Sequence, residues 1–263
     1  MKAAGGKVLV IDLGGNHVKL LATGQRTPVK APSGPGLTPK GMVKLVRKAT
    51  RGWKFDRVSL GYPGMVWRGR PVAEPHNLGR GWVKFDFEKA FGRAVRIVND
   101  AAMQALGSYK GGKMLFLGLG TGLGSALIDH GVLLPLELAH LPYRKATFEH
   151  YVGASALKRM GKKKWRRNVK RVVRELQRAL EPDYVVLGGG NVKKLKKLPT
   201  GTRRGDNANA FHGGFRLWRK ENALGRMSLS GLAKKQGASK SVRRAGGRKN
   251  AGESGETRVS SEP

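Results

Sequence analysis

The chain has 263 residues, 39% of them hydrophobic, and carries 52 Lys and Arg against 17 Asp and Glu, a net charge of +35. It has no cysteine, which excludes disulfides and thiolate metal sites, and no apolar run of about 18 residues, so no membrane-spanning helix is expected. The length suffices for two modest domains or one large one, with a real core, while the charge speaks of partners and solubility and not of fold. A polyanion partner and a merely solvated basic surface account for it equally well.

Along the chain, Lys7 to Leu13 and His17 to Ala22 read as two strands joined at Gly14-Gly15, a hairpin, and Arg26 to Ala31 adds a third strand. Thr38-Pro39 has the pattern of an N-cap with proline at the first helical position, followed by Met42, Leu45 and Val46 at helical spacing. Val58 to Gly61 and Ala94 to Val98 are further strands. The second ends at Asn99-Asp100, which suits the cap of a helix over 101–109. Met114 to Leu117, a glycine cluster and Ser125 to Ile128 then repeat the strand–turn–strand pattern. Trp165, Val169, Val172, Val173, Leu176 and Leu180 form one face of an amphipathic helix stopped by Pro182. Tyr184 to Leu187 is a buried strand, and Phe211 to Trp218 a last helix. From Ala223 the composition turns to Gly, Ser, Lys and Arg, so 223–263 is expected to be a disordered basic tail. The layout repeats in outline without a visible sequence repeat, which predicts an α/β fold of two similar lobes.

Two glycine-rich turns carry candidate chemistry. In the first, Gly14 and Gly15 let backbone N–H groups approach a phosphate. Asp12 is placed to hold Mg²⁺ through water, and Lys19 adds a point charge. A plain hairpin turn would look the same. The second, Gly118 to Gly124, matches neither the G-x-x-x-x-G-K-[ST] loop nor the G-x-G-x-x-G fingerprint, because Leu123 stands in the way. Gly120, Thr121 and Gly122 are its phosphate-binding candidates. Gly188, Gly189 and Gly190 follow a strand and suit a nucleotide packed on backbone.

Taken in order, Asp12-x-Gly-Gly, Asn99-Asp100, the Gly118 to Gly124 turn, Glu137-Leu138-Ala139-His140 and Gly188 to Gly190 resemble the repressor–ORF–kinase (ROK) family of the actin-like ATPase superfamily. Within it, the chain is most similar to the polyphosphate glucokinases. The resemblance runs from Lys7 to Trp218. It implies two ribonuclease H-like lobes with a cleft between them, at 1–101 and 102–206, the first completed by a helix near 207–220. It also implies a cytoplasmic enzyme that moves a phosphoryl group from polyphosphate, ATP or both to the 6-hydroxyl of glucose or a related hexose, with Mg²⁺. Asp100 matches the general base. Asn99, Glu137 and His140 match residues that bind sugar hydroxyls, and Glu149 resembles a later sugar-binding glutamate. Asn77 resembles an asparagine of the sugar site that precedes a tryptophan, here Trp82, and Pro63-Gly64 a turn on the same side. A homodimer is the family habit.

The chain departs from the family in three ways. The cysteine-rich zinc motif of many relatives is missing. No helix-turn-helix precedes Lys7, so a repressor is not expected. Ala139 replaces a glycine; if that backbone needs a positive φ, alanine costs about 1 kcal/mol. A groove lined by Lys158, Arg159, Lys162 to Lys164, Arg166, Arg167, Lys170, Arg171 and Arg174 would hold polyphosphate by counterion release, although a solvated helix face explains the same residues. The sequence leaves two alternatives. One is a non-catalytic sugar-binding regulator on the same fold. The other is a polyanion- or nucleic-acid-binding protein, against which the absence of a nucleic-acid motif and the 7% aromatic content count.

Overall fold

The computed structural model describes residues 6–219; the predicted tail, 223–263, lies outside them. The first half comprises β1 (Val8–Leu13), β2 (His17–Ala22), β3 (Val29–Pro32), α1 (Pro39–Ala49), β4 (Arg57–Tyr62), β5 (Val66–Trp67), β6 (Arg70–Pro71), α2 (Phe87–Phe91) and β7 (Ala94–Asn99). Its main sheet has the order β3-β2-β1-β4-β7. β1, β2 and β3 are antiparallel neighbours, while β4 and β7 run parallel to β1. All six residues of β1 are buried, as expected of a central strand covered on both faces. α1 begins where the sequence puts it: Thr38 Oγ1 accepts the Gly41 N–H at 3.2 Å, which satisfies an orphan donor of the first turn. Met42, Val43 and Val46 then face the sheet core with Leu9, Ile11 and Leu60.

The second half comprises α3 (Asp100–Ser108), β8 (Lys113–Leu119), β9 (Leu123–Asp129), β10 (Val132–Leu136), a 3₁₀ turn at Leu138–His140, β11 (Pro142–Tyr143), β12 (Ala146–Thr147), α4 (Phe148–Val152), α5 (Ala154–Leu180), β13 (Tyr184–Gly188), β14 (Thr202–Arg204) and α6 (Asn209–Arg216). Its sheet has the order β10-β9-β8-β13-β14. Its hairpin strands are antiparallel, and β13 and β14 run parallel to β8. Strand for strand this is the order and direction of the first sheet, so each half is a ribonuclease H-like lobe. The apolar face foreseen on α5, from Trp165 to Leu176, packs on Leu115, Leu117, Val185 and Leu187.

The two lobes exchange helices. α3, which leaves the last strand of the first sheet, lays Ala101, Ala102, Ala105 and Leu106 on Met114, Phe116 and Ala126 of the second. α6, which follows the last strand of the second sheet, lays Ala210 and Phe211 on Val8 and Val10 of the first. The helices cross in backbone contact. A Cβ at Gly107 would strike the Asn209 carbonyl, and one at Gly213 the Met103 carbonyl. The crossing therefore tolerates only glycine at those two places, and it sets the lobes against each other.

Candidate active site

Asp12 is the next-to-last residue of β1 and faces Lys19 across the first hairpin in antiparallel register. The carboxylate is buried and meets Lys19 Nζ at 2.8 Å, the partner that a buried charge requires. The turn is tied by Gly14 N–H to the His17 carbonyl at 3.0 Å and by Ser33 Oγ to the Gly14 carbonyl at 2.6 Å. Asn77 comes in from the loop after β6. A Cβ on Gly15 would lie 2.9 Å from the Asn77 Cβ, so glycine admits the asparagine to the turn. Trp82 is fully buried and donates its indole N–H to the Gly79 carbonyl at 2.7 Å, which makes it a core anchor of that loop.

The second turn joins β8 to β9. Gly120 N–H bonds the Gly118 and Gly122 carbonyls at 3.1 and 3.2 Å. Around Gly120 the space is open, and Thr121 is exposed, so this stretch of backbone is accessible to a ligand. Gly188 stands beside Gly118 in parallel register, which brings the third glycine segment to the same edge. Asn191 fastens the two segments, donating its N–H to the Leu119 carbonyl and its side-chain amide to the Gly120 carbonyl, both at 2.9 Å.

α3 starts between the turns. Asn99 is its N-cap: Oδ1 accepts from Ala101 and Ala102 N–H at 2.9 and 3.3 Å, and Nδ2 donates to the Gly64 carbonyl at 3.1 Å. Asn99 was expected to bind sugar. The cap and Gly64 engage its oxygen and one amide hydrogen, leaving one donor hydrogen for a ligand. Asp100 keeps some accessible surface, yet its carboxyl is surrounded by enough protein for burial to push it up to about 7. The charge of Asp12 adds to the rise, as does Glu137, while the Ala101 N–H bond at 2.7 Å and Lys19 pull it down. Groups from both lobes therefore act on one carboxyl.

Glu137, just before the 3₁₀ turn after β10, and His140, at its end, approach to 4.0 Å, both well exposed. Buried Ser125 pins this segment by donating to the Leu136 carbonyl at 2.7 Å and accepting the Leu138 N–H at 3.1 Å. Ala139 is buried and is not among the residues with positive φ, so alanine carries no backbone strain there. Glu149, expected at the sugar, meets the second turn. Its Oε2 accepts the Leu123 N–H at 3.2 Å and fills the space that Gly122 leaves. Its carboxylate is engaged by the second turn.

The fold thus gathers Asp12, Lys19, Asp100 and Glu137 around the start of α3, and it groups Gly120 to Gly122, Glu149 and Gly188 at the facing edge. Sequence reasoning missed Ser125 and Asn191, whose partners are backbone atoms, for Asn191 some 71 residues away. Among the described residues no three His, Asp or Glu side chains cluster as metal ligands. A lone Asp12 beside a glycine turn still fits Mg²⁺, which is commonly held by one or two carboxylates with water and phosphate oxygens. Among the described residues no helix is long and apolar enough to cross a membrane.

No family model matches the chain. The polyphosphate glucokinase of Mycobacterium tuberculosis is 30% identical over 210 residues, covering 71% of this chain and 78% of that protein. That of Mycobacterium leprae is 30% identical over 213 residues, covering 73% of this chain and 61% of its own length. Among solved structures, the polyphosphate/ATP-glucomannokinase of Arthrobacter sp. strain KM has a TM-score of 0.70 at 23% identity, with 83% of this chain and 98% of that chain covered. A ROK family glucokinase from Streptomyces griseus, solved with glucose and AMPPNP, has a TM-score of 0.68 at 16% identity, covering 81% and 99%. These two share the actin-like ATPase fold of paired lobes, and the curated relatives carry the kinship in sequence: the chain belongs to the ROK family of sugar kinases, among the polyphosphate glucokinases.

Proposed function

We propose that the chain is a glucokinase that transfers the terminal phosphoryl group of polyphosphate or ATP to the 6-hydroxyl of glucose or a related hexose. The observation that carries this reading is Asp100: a carboxyl at the first turn of α3, within electrostatic reach of Asp12 and Glu137, and raised to about 7. A general base works best with a pKa near the working pH. In the reaction, the bond from the sugar oxygen to phosphorus forms, the bond from phosphorus to the rest of the donor breaks, and the hydroxyl proton passes to the Asp100 carboxylate. Phosphoryl transfer otherwise asks for positioning and charge neutralisation. Gly14, Gly15, Gly120, Thr121 and Gly122 offer backbone donors to the donor phosphates, and Lys19 a positive charge. Gly188, Gly189 and Gly190 offer a backbone surface to a nucleotide. Asn77, Asn99, Glu137 and His140 are the polar groups for sugar hydroxyls, with Glu149 assigned to them by family resemblance alone.

Mg²⁺, when bound, neutralises charge on the donor phosphates, and Asp12 is the residue that would hold it through water. The lobes divide near 101, with α6 counted to the first, and a homodimer remains part of the reading. The test is direct. The purified chain is incubated with glucose and Mg²⁺, with ATP and polyphosphate in separate reactions, and hexose 6-phosphate is measured across pH. Product should form with at least one donor, and its rate should climb with pH through about 7 as Asp100 loses its proton. No product with either donor would overturn the proposal.

A further inference from the structure

The segment between β6 and α2 has no strand or helix of its own, so its backbone groups must find partners elsewhere. It carries Asn77, which meets Gly15 of the first turn. Asn77 is exposed, and among the described residues no hydrogen bond holds its side chain. The amide is therefore free for a ligand, and its place is set by the backbone that carries it.

That backbone is braced from several sides. Tyr62 is buried at the end of β4 and paired in register with Asn99. Its hydroxyl donates to the Ala73 carbonyl at 2.8 Å. Further along, Gly79 N–H bonds the Leu37 carbonyl at 3.0 Å, and a Cβ at Gly79 would lie 3.1 Å from the same oxygen. Glu74 closes the loop. Its Oε2 accepts the Trp82 N–H at 3.1 Å and its Oε1 the Val83 N–H at 3.2 Å. One carboxylate thus joins residues eight and nine positions apart, with Asn77 on the loop between them. Bonds to a charged acceptor are stronger than neutral ones. Glu74 is exposed, and among the described residues it has no cationic partner, so its charge serves these two donors. It is also the brace that can be removed without opening a cavity in the core.

We propose that Glu74 is a positioning residue for the sugar: by closing the loop it holds Asn77 against the first turn, where the Asn77 amide meets a hydroxyl of the hexose. The inference rests on the sugar reading of Asn77 above. Glu74 itself touches neither substrate nor the reacting atoms. Without it the sugar binds only the fraction of molecules in which the loop is closed, and the apparent affinity falls by that fraction. Asp100 stands on α3, outside the loop, so the chemistry of the bound sugar is left as it was.

The test uses the full chain and reads glucose binding by calorimetry without donor, so it needs no turnover. In Glu74→Ala, glucose affinity should fall about tenfold, and amide hydrogen exchange at Trp82 and Val83 should quicken. Glu74→Gln keeps one acceptor oxygen and should lose less. Where turnover is present, KM for glucose should rise in step while kcat holds. Glu88→Ala is the control: Glu88 Oε1 accepts the Val95 N–H at 3.2 Å elsewhere on the first lobe, and its loss should leave glucose affinity at the parent value. In an Asn77→Ala background, Glu74→Ala should cost little further affinity, whereas a merely structural role would cost the same in both backgrounds. Unchanged glucose affinity or unchanged exchange in Glu74→Ala would overturn the proposal. So would an equal loss in Glu88→Ala, or the full loss in the Asn77→Ala background. A parent chain that binds no glucose would instead overturn the sugar reading itself, and the proposal with it.

Discussion

The two lobes use one hairpin for two purposes. In the first, Leu13 faces Val18 and Asp12 faces Lys19. In the second, Leu119 faces Leu123 and Gly118 faces Gly124. The apolar pair is kept and the charged pair becomes two glycines. The first turn therefore brings charge to the site: a buried carboxylate and the lysine that balances it. The second brings space, because a Cβ on Gly124 would lie 2.7 Å from the Ala101 Cβ at the start of α3. The bare second hairpin lets α3 approach, and so sets Asp100 near Asp12. Its own carboxylate comes from outside the hairpin, in Glu149. Duplicated backbones with unlike side chains thus yield one asymmetric cleft.

The largest effect should come where the lobes meet. Asp100→Asn removes the proposed base and should lower kcat by about 10²- to 10⁴-fold, with glucose affinity by calorimetry unchanged. The same variant should be more stable. The folded carboxyl titrates near 7 against an ordinary 3.8, so between those values the folded chain holds a proton that the unfolded chain has released. Stability falls as pH rises through that window, and the loss is complete above it. Asn escapes this loss, so Tm at pH 8 should rise relative to the parent, and the gain should shrink towards pH 4. A variant with full turnover, or with lower Tm at pH 8, would break the assignment.

Next come the charges of the first hairpin. Asp12→Asn should cost about 10- to 100-fold in activity and raise the Mg²⁺ concentration needed. Because the Asp12 charge raises Asp100, its removal should also move the acid limb of the rate profile to lower pH. Lys19→Met removes a charge that lowers Asp100 and should move the limb the other way. Shifts of the same sign would show that the hairpin acts on Asp100 by packing and not by charge.

What was legible in the sequence was local. The Thr38 and Asn99 caps, the glycine turns and the apolar face from Trp165 to Leu176 rest on neighbours within a turn or two, and each forms as the pattern predicts. The shared topology of the lobes was visible only in outline, since it lives in backbone pairing and not in residue identity. β5, β6, β11 and β12, of two residues each, are too short to show a period. The crossing at Gly107 and Gly213 escaped because each glycine meets a carbonyl far along the chain. Of the candidate site, motif order singled out Asp12 and Asp100, and the fold brings the two within electrostatic reach of each other. Asn99 and Glu149 were read for the sugar, while their backbone partners could be found only in three dimensions.

Space in the second hairpin can be tested without touching charge. Gly124→Ala places a methyl against Ala101, and overpacking of this kind costs about 1–3 kcal/mol. Thermal unfolding should show a lower Tm, and kcat should fall as α3 is pushed from its seat. The matching change on the first hairpin, Lys19→Ala, adds no bulk and should act on stability only through the unpaired Asp12 carboxylate. A Gly124→Ala protein as stable and active as the parent would mean that the glycine pair does not set the approach of α3.

The smallest effect, and the one that separates two readings of a single residue, belongs to Glu149→Gln. Glutamine keeps a carbonyl oxygen for the Leu123 N–H but loses the charge that strengthens that bond. A hydrogen bond weakened in this way is worth about 0.5–1.5 kcal/mol, or roughly two- to tenfold in an affinity. If Glu149 serves the turn it touches, the loss appears in KM for the donor while KM for glucose holds. If it swings to the sugar, as family resemblance implies, the loss appears in KM for glucose instead. The geometry favours the first outcome: Gly122 leaves the space that the carboxylate occupies, and any larger residue there would expel it. Gly122→Ala should therefore reproduce the donor defect of Glu149→Gln and add little to it in the double variant. Additive losses would separate the two residues and return Glu149 to the sugar.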